Sequence, residues 1–235
     1  LALLTGKKQP YIQQPRAYYF PELPQIQFFP RAKFPWLNAV EAATDAICSE
    51  LEQILQRPEA FVPYLQSVPN TPTRPDAALV NSLDWSAFFL WKNGAVLEEN
   101  AARCPRTMVA LEQVPLTRIK GRAPSILFSL LKPGTRIAPH TGFINARLIC
   151  HLPLIVPPRC GFRVGNEVRE WVKGTAWVFD DTIEHEAWND SDQTRVVLIF
   201  DVWRPELTSE ERGLIEALMG AVDSYGGAPP ADWSA

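Results

Sequence analysis

From Leu37 to Gln56 apolar residues recur at Val40, Ala43, Ile47, Leu51 and Ile54, steps of three or four that lay one stripe along a helix. Arg57-Pro58 ends it, because proline has no N–H to donate and biases the residue before it away from the helical region. Beyond a proline-containing stretch, "VPNTPTRPDAALVN" (68–81), the pattern turns to β. The run "WSAFFLWKNG" predicts a strand closed by an Asn-Gly turn. "SILFSLLKPG", "ARLICHLPLIVPP", "GFRVGNEVREWVKG", "TAWVFDD" and "TRVVLIFDVWRP" follow as short branched and aromatic runs broken by Gly, Pro, Asp and Asn. Short strands at such spacing predict a sandwich or barrel. Helices are expected only at the two ends. The second is announced by "PELTSEERGLIEALMGAVDSYGG", where Thr208 and Glu211 have capping-box spacing and Gly226-Gly227 marks the stop.

A period of two sorts the long strands into faces. In "ARLICHLPLIV" it puts Arg147, Ile149 and His151 on one side and Leu148, Cys150, Leu152 and Leu154 on the other. The first side must look into a pocket or solvent, since burying both polar groups without partners costs several kcal/mol. In the last strand Val196, Leu198, Phe200 and Val202 form an apolar face opposite Arg195, Val197, Ile199 and Asp201. A guanidinium there keeps its charge and needs a carboxylate, either from the protein, Asp201 for instance, or from a ligand.

Residues 1–35 differ: proline and aromatic side chains without any period predict an extended arm, pinned to the domain by its rings. Residues 36–235 are then one domain. With 235 residues, 46% of them hydrophobic, the chain can fill a single sizeable core. The net charge of −3 offers nucleic acid no basic footprint. No apolar run approaches the roughly 18 residues of a membrane span. Because the chain starts at Leu1 rather than methionine, an upstream piece is expected to have been removed, and the location expected is cytoplasmic. Cys48, Cys104, Cys150 and Cys160 lack CxxC spacing and read as thiols, with a Cys150–Cys160 bridge as the alternative.

All three histidines, His140, His151 and His185, fall in one stretch of the β region. Imidazole is the commonest metal ligand, so the clustering of a scarce residue type predicts a site, against the plainer alternative of three packed core imidazoles. His140 follows "KPGTRIAP" and His185 follows "FDDTIE", each at a strand end. Two such imidazoles, a third nearby and an arginine deeper in make a metal and anion pocket.

Together "KPGTRIAPHTG", "RLICHLPLIVPP", "FDDTIEHEAWND" and "VWRPELT" closely resemble the aspartyl/asparaginyl β-hydroxylase family of iron(II)- and 2-oxoglutarate-dependent oxygenases, over roughly Arg16 to Arg212. The resemblance implies a mainly β double-stranded β-helix, a cupin-like jelly roll with flanking helices, and, in larger relatives, helical repeats upstream. It implies Fe(II), 2-oxoglutarate and O2 as cofactors, with succinate and CO2 as co-products. His140 and His185 are similar to the family's catalytic iron ligands. Most 2-oxoglutarate oxygenases add a carboxylate two residues after the first histidine. This chain has Gly142, as the family does, so water is expected in that position, with Asp181 and Glu184 as rivals. An aspartate placed at 142 is expected to tighten iron binding. Arg195 resembles the anchor of the distal 2-oxoglutarate carboxylate, Ser129 offers a hydroxyl to the same group, and His151 matches a histidine near the metal-binding end. One position departs: many members have an arginine two residues before that histidine, and this chain has Ile149. Either Arg147 compensates or recognition differs. The implied partner is a peptide, protein or small-molecule substrate bearing aspartate or asparagine, hydroxylated at the β-carbon, with Arg136, Arg147 and Arg163 as candidates for reading its carboxylate. Alternatives are a lipid A acyl-chain hydroxylase, a non-catalytic metal-binding module, and an interaction domain.

Overall fold

The computed structural model describes residues 1–67 and 77–226. Most of the proline-containing stretch 68–81 therefore lies outside the described residues, as does Gly227 of the expected helix stop. Trp85–Lys92 forms a strand, β2, preceded by the short β1 (Val62–Pro63). Asn93 and Gly94 both take positive φ (50° and 78°), the geometry of the mirror-image turn that fits the twist of a hairpin, and return the chain into β3 (Ala95–Val96). Eight strands follow: β4 (Ile126–Leu131), β5 (Arg136–His140), β6 (Arg147–Ile155), β7 (Cys160–Val164), β8 (Glu167–Glu170), β9 (Trp177–Phe179), β10 (His185–Asn189) and β11 (Arg195–Trp203).

They form two antiparallel sheets. The larger runs β1-β2-β4-β11-β6-β9, with β3 beside β2, and the smaller runs β5-β10-β7-β8. From β4 onward the chain passes back and forth between them, β7 and β8 alone being consecutive in one sheet. That winding is a double-stranded β-helix, the expected jelly roll. The two faces of the larger sheet carry the periodicity read from the sequence. Leu148, Cys150, Leu152 and Leu154 join Val196, Leu198, Phe200 and Val202 on one side, packed against Val40, Ile47, Leu51 and Ile54 of the N-terminal helices. Ile149 and Val197 look the other way, toward Ile137, Phe162, Val164 and Ala187 of the smaller sheet. The site lies between the sheets.

The helical stripe from Leu37 is two helices, α1 (Leu37–Ala42) and α2 (Thr44–Leu55), not one. The Thr44 hydroxyl donates to the Glu41 carbonyl at 2.6 Å, competing for an acceptor that a continuous helix would give to a backbone N–H. Two short helices also intervene before β4, correcting the expectation of helices only at the ends: α3 (Glu98–Ala101) and α4 (Pro105–Ala110). The start of α4 has no local cap. Instead the Glu50 carboxylate of α2 accepts from the Arg106 and Thr107 N–H groups at 2.7 and 2.9 Å, so its signal lies far away in the chain. The final helix, α5 (Ser209–Gly226), carries the expected capping box: Thr208 N–H donates to Glu211 at 2.8 Å and Glu211 N–H to the Thr208 hydroxyl at 3.2 Å.

All four cysteines are buried free thiols. A Cys150–Cys160 bridge is impossible in this topology, because Cys150 faces the helices and Cys160 packs between the sheets. The arm is laced to the domain through isolated bridges, Tyr18 to Ile144 and Phe28 to Phe179, and Phe28 packs edge-on to Phe162 and Trp177. No helix among the described residues is long and apolar enough to cross a membrane.

Candidate functional site

The two strands that pattern reading missed, β5 and β10, carry the two histidines. They pair antiparallel with His140 directly opposite His185, and opposed residues of such a pair project from one face about 5 Å apart. The imidazole centroids are accordingly 4.1 Å apart. β5 is the edge of its sheet, which is why it tolerates Pro139. Its register slips by one residue between the His185↔His140 and Ala187↔Ile137 pairs. That bulge lets Ile137 and His140, three apart, both line the cavity.

Each ring is oriented the same way. The Nδ1 of His140 lies 2.8 Å from the Ala138 carbonyl and that of His185 lies 3.0 Å from the Ile183 carbonyl. A carbonyl only accepts, so Nδ1 carries the proton and Nε2 the lone pair, the form in which imidazole binds metals. First burial, then the neighbouring His140, hold the His185 pKa well below its ordinary value, so it stays neutral. The donor set therefore fits a divalent ion held by two imidazoles. Glu184 is turned elsewhere, to Arg163 at 2.9 Å. Among the described residues no three His, Cys, Asp or Glu side chains gather closely enough to hold an ion.

The cavity, about 140 Å³, holds on the order of ten waters at roughly 10–15 Å³ each, room for a small organic acid. It brings together His140, His185, Arg195, Ser129 and His151, the residues that the resemblance gave to metal and 2-oxoglutarate. Arg195 opens β11 at 2% exposure, yet no described carboxylate forms an ion pair with it and its Nε has no partner. Burial pulls its pKa down to about 10, so the guanidinium remains charged at neutral pH. Asp201, the protein carboxylate considered for it, pairs with Arg147 instead at 3.4 Å. Ser129, on β4, lies diagonally from Arg195 across the β4–β11 pair and accepts a bond from Trp85 Nε1 at 3.2 Å. His151 stacks on Trp171 at 5.4 Å, and its Nδ1 has no partner. Burial and then Arg195 push its pKa well down.

Arg147 shares the pocket face with Ile149, as the period of two requires, but its charge is engaged by Asp181 at 2.9 Å and by Asp201. Burial works against the Arg147 charge, and the two carboxylates outweigh it. Burial also pushes Asp181 up to about 6 against the pull of Arg147. Arg136 and Arg163 do not line the cavity. The first pairs with Asp190 at the surface and the second with Glu184 and Glu186, so neither reads a ligand there. Trp85, Trp171 and Arg16 also line it, and no sequence period marked them.

Gly142 overturns one expectation. A Cβ built there would stand 2.0 Å from Asp181 Oδ2, so the Asp181 carboxylate already fills the space in which an aspartate at 142 would have to reach a metal. The close approach explains the glycine. Gly142→Ala should displace Asp181, strain its pair with Arg147 and cost about 1–3 kcal/mol as an overpacked site. Denaturant titration measures this, and an unchanged midpoint would mean that Asp181 swings aside freely.

A family model described as Aspartyl/Asparaginyl beta-hydroxylase matches residues 41–205. The human aspartyl/asparaginyl beta-hydroxylase is 41% identical over 136 residues, 57% of this chain and 18% of that protein. The ornithine lipid ester-linked acyl 2-hydroxylase of Rhizobium tropici is 38% identical over 192 residues, 80% of this chain and 64% of that one. In both cases the match spans less than two thirds of the relative's length. Among solved structures, the Cnp3 cupin domain of Schizosaccharomyces pombe is similar over 70% of this chain and 80% of that one, at 6% identity and a TM-score of 0.34, too distant to add to the topology.

Proposed function

Because the chain belongs to the aspartyl/asparaginyl β-hydroxylase family, we propose that it is an iron(II)- and 2-oxoglutarate-dependent oxygenase that hydroxylates the β-carbon of an aspartyl or asparaginyl residue. One observation carries this reading: a buried arginine without an acidic partner among the described residues, Arg195, shares a cavity with two imidazoles side by side. That arrangement suits a dicarboxylate. Its distal carboxylate would be held by the Arg195 fork and the Ser129 hydroxyl, and its other end by a metal on His140 and His185. The bound iron would supply dioxygen activation, and the balance is one C–H bond, O2 and 2-oxoglutarate giving C–OH, succinate and CO2. This chain's residues do the rest. Carbonyls 138 and 183 hold the imidazoles in one tautomer, Trp85 orients Ser129, and Phe162, Trp171 and Phe179 wall the cavity against water.

Arg195→Ala should weaken 2-oxoglutarate by about ten- to a hundredfold, the value of a charge-assisted hydrogen bond of roughly 1.5–3 kcal/mol, while Fe(II) binding is unchanged. Calorimetric titration of each separately decides; equal 2-oxoglutarate affinity in the variant removes the assignment. A second reading, hydroxylation of an acyl chain on a polar lipid, is supported by the 38% identity to a lipid acyl hydroxylase over 80% of this chain. Succinate release with an aspartyl peptide against a polar lipid separates the two.

A further inference from the structure

Trp171 brings a second donor to the Arg195 end of the cavity. It follows β8, whose Glu167, Val168 and Glu170 are exposed, and turns inward to 7% exposure between the sheets. The turn behind it is fastened to β6, where Gly174, at φ 74°, donates its N–H to the Pro153 carbonyl at 2.9 Å. The indole stacks on Trp177 at 4.7 Å and 17° and on His151 at 5.4 Å and 24°. The guanidinium carbon of Arg195 lies 5.5 Å from its ring centroid. Its place and its plane are therefore fixed before any ligand arrives.

Packing uses the ring and leaves its polar atom over. Trp171 Nε1 is buried and has no partner among the described residues, and the same holds for His151 Nδ1 and Arg195 Nε beside it. These three cannot serve one another. An indole N–H lies in the plane of its ring, so it does not reach the in-plane nitrogen of an imidazole stacked on its face, and a guanidinium has no acceptor to offer. A buried donor left unpaired is costly and rare. Water would meet the N–H alone, but the buried charge next to it calls for an anion. Trp171, His151 and Arg195 all line the cavity, and a carboxylate has about four lone-pair positions, enough for the Arg195 fork, the Ser129 hydroxyl and one further N–H.

We propose that Trp171 is a further ligand-binding residue, its indole N–H donating to the carboxylate that Arg195 holds. This rests on the oxygenase reading only for the name of that ligand, 2-oxoglutarate, whose distal carboxylate Trp171 then reads together with Arg195.

The test follows the indole proton itself. In proton–nitrogen correlation spectra of the Zn(II)-loaded protein, the indole resonance that disappears in Trp171→Phe, or in Trp171→Tyr should the first not fold, belongs to Trp171. Saturating 2-oxoglutarate should move that resonance downfield and slow its exchange with solvent, as a hydrogen bond to an anion does. The acid of equal length without the distal carboxylate, 2-oxopentanoate, should do neither. By calorimetry the variant should bind 2-oxoglutarate about tenfold more weakly with Zn(II) affinity unchanged. A resonance that 2-oxoglutarate leaves in place overturns the proposal, as does one that 2-oxopentanoate moves equally, or a variant with wild-type 2-oxoglutarate affinity. Failure of the oxygenase reading looks different: 2-oxoglutarate does not bind, and the proposal then stands or falls on whether glutarate, a dicarboxylate with no keto group, moves the same resonance.

Discussion

His185→Ala should abolish metal-dependent turnover. A four-ligand structural zinc site is worth about 10–16 kcal/mol, roughly 2.5–4 kcal/mol per ligand, and here only two imidazoles stand together. Loss of one should weaken Fe(II) by on the order of a hundredfold or more. His140→Ala should do the same, since the two rings face each other across one strand pair. The fold should survive both changes, because each side chain lines a cavity rather than filling the apolar layer between α2 and the larger sheet. Iron titration with succinate yield is the measurement. Near-normal iron affinity in either variant would show that another residue is the ligand.

Arg204→Ala should be the most damaging change to stability. Arg204 and Asp180 are each 0% exposed and 2.7 Å apart. The guanidinium also donates to the carbonyls of Asn145 and Pro24 at 3.0 and 2.6 Å, and Asp180 accepts from Thr182 and Gln13. The cluster ties the arm, the loop after β5, the loop before β10 and the end of β11 into one knot behind the site. Removing one partner leaves a buried charge uncompensated, at about 3–5 kcal/mol, a large fraction of the 5–15 kcal/mol that holds a typical domain folded. Denaturant unfolding of wild type and variant gives the difference; a loss under 1 kcal/mol would mean that water replaces the guanidinium.

The jelly roll was legible because β6 and β11 are long and central, so their alternate residues report two dry but different environments: helices on one side, cavity on the other. The same alternation set Arg147, Ile149 and His151 on a face that had to meet a pocket or solvent, and Arg195 on the side of its strand opposite the apolar face; that both sides meet in one cavity is the structure's contribution. β5 and β10 escaped notice for the opposite reason. β5 is an edge strand with a proline and a bulge, and β10, "HEAWN", buries the polar His185 and Asn189 while Trp188 lies on its outer side, the reverse of the usual alternation. The histidines were therefore read as sitting beyond strand ends when they are strand residues in register. α4 was invisible because its cap is Glu50, and Arg16 because an arm without a period gives no hint of what it lies against. Gly142 was read as the lack of a ligand, whereas its cause is steric, the carboxylate of Asp181.

β11, the last strand in sequence, lies in the middle of the larger sheet with β4 on one side and β6 on the other. On a ribosome this has a cost in time. The 48 residues from Ile155 at the end of β6 to Trp203 at the end of β11 take about 2–10 s to synthesise at 5–20 residues per second. Throughout that interval β4 and β6 each present a bare edge, with rows of unpaired backbone groups of the kind that recruit foreign strands. The nascent chain must be shielded until its final strand slots between them.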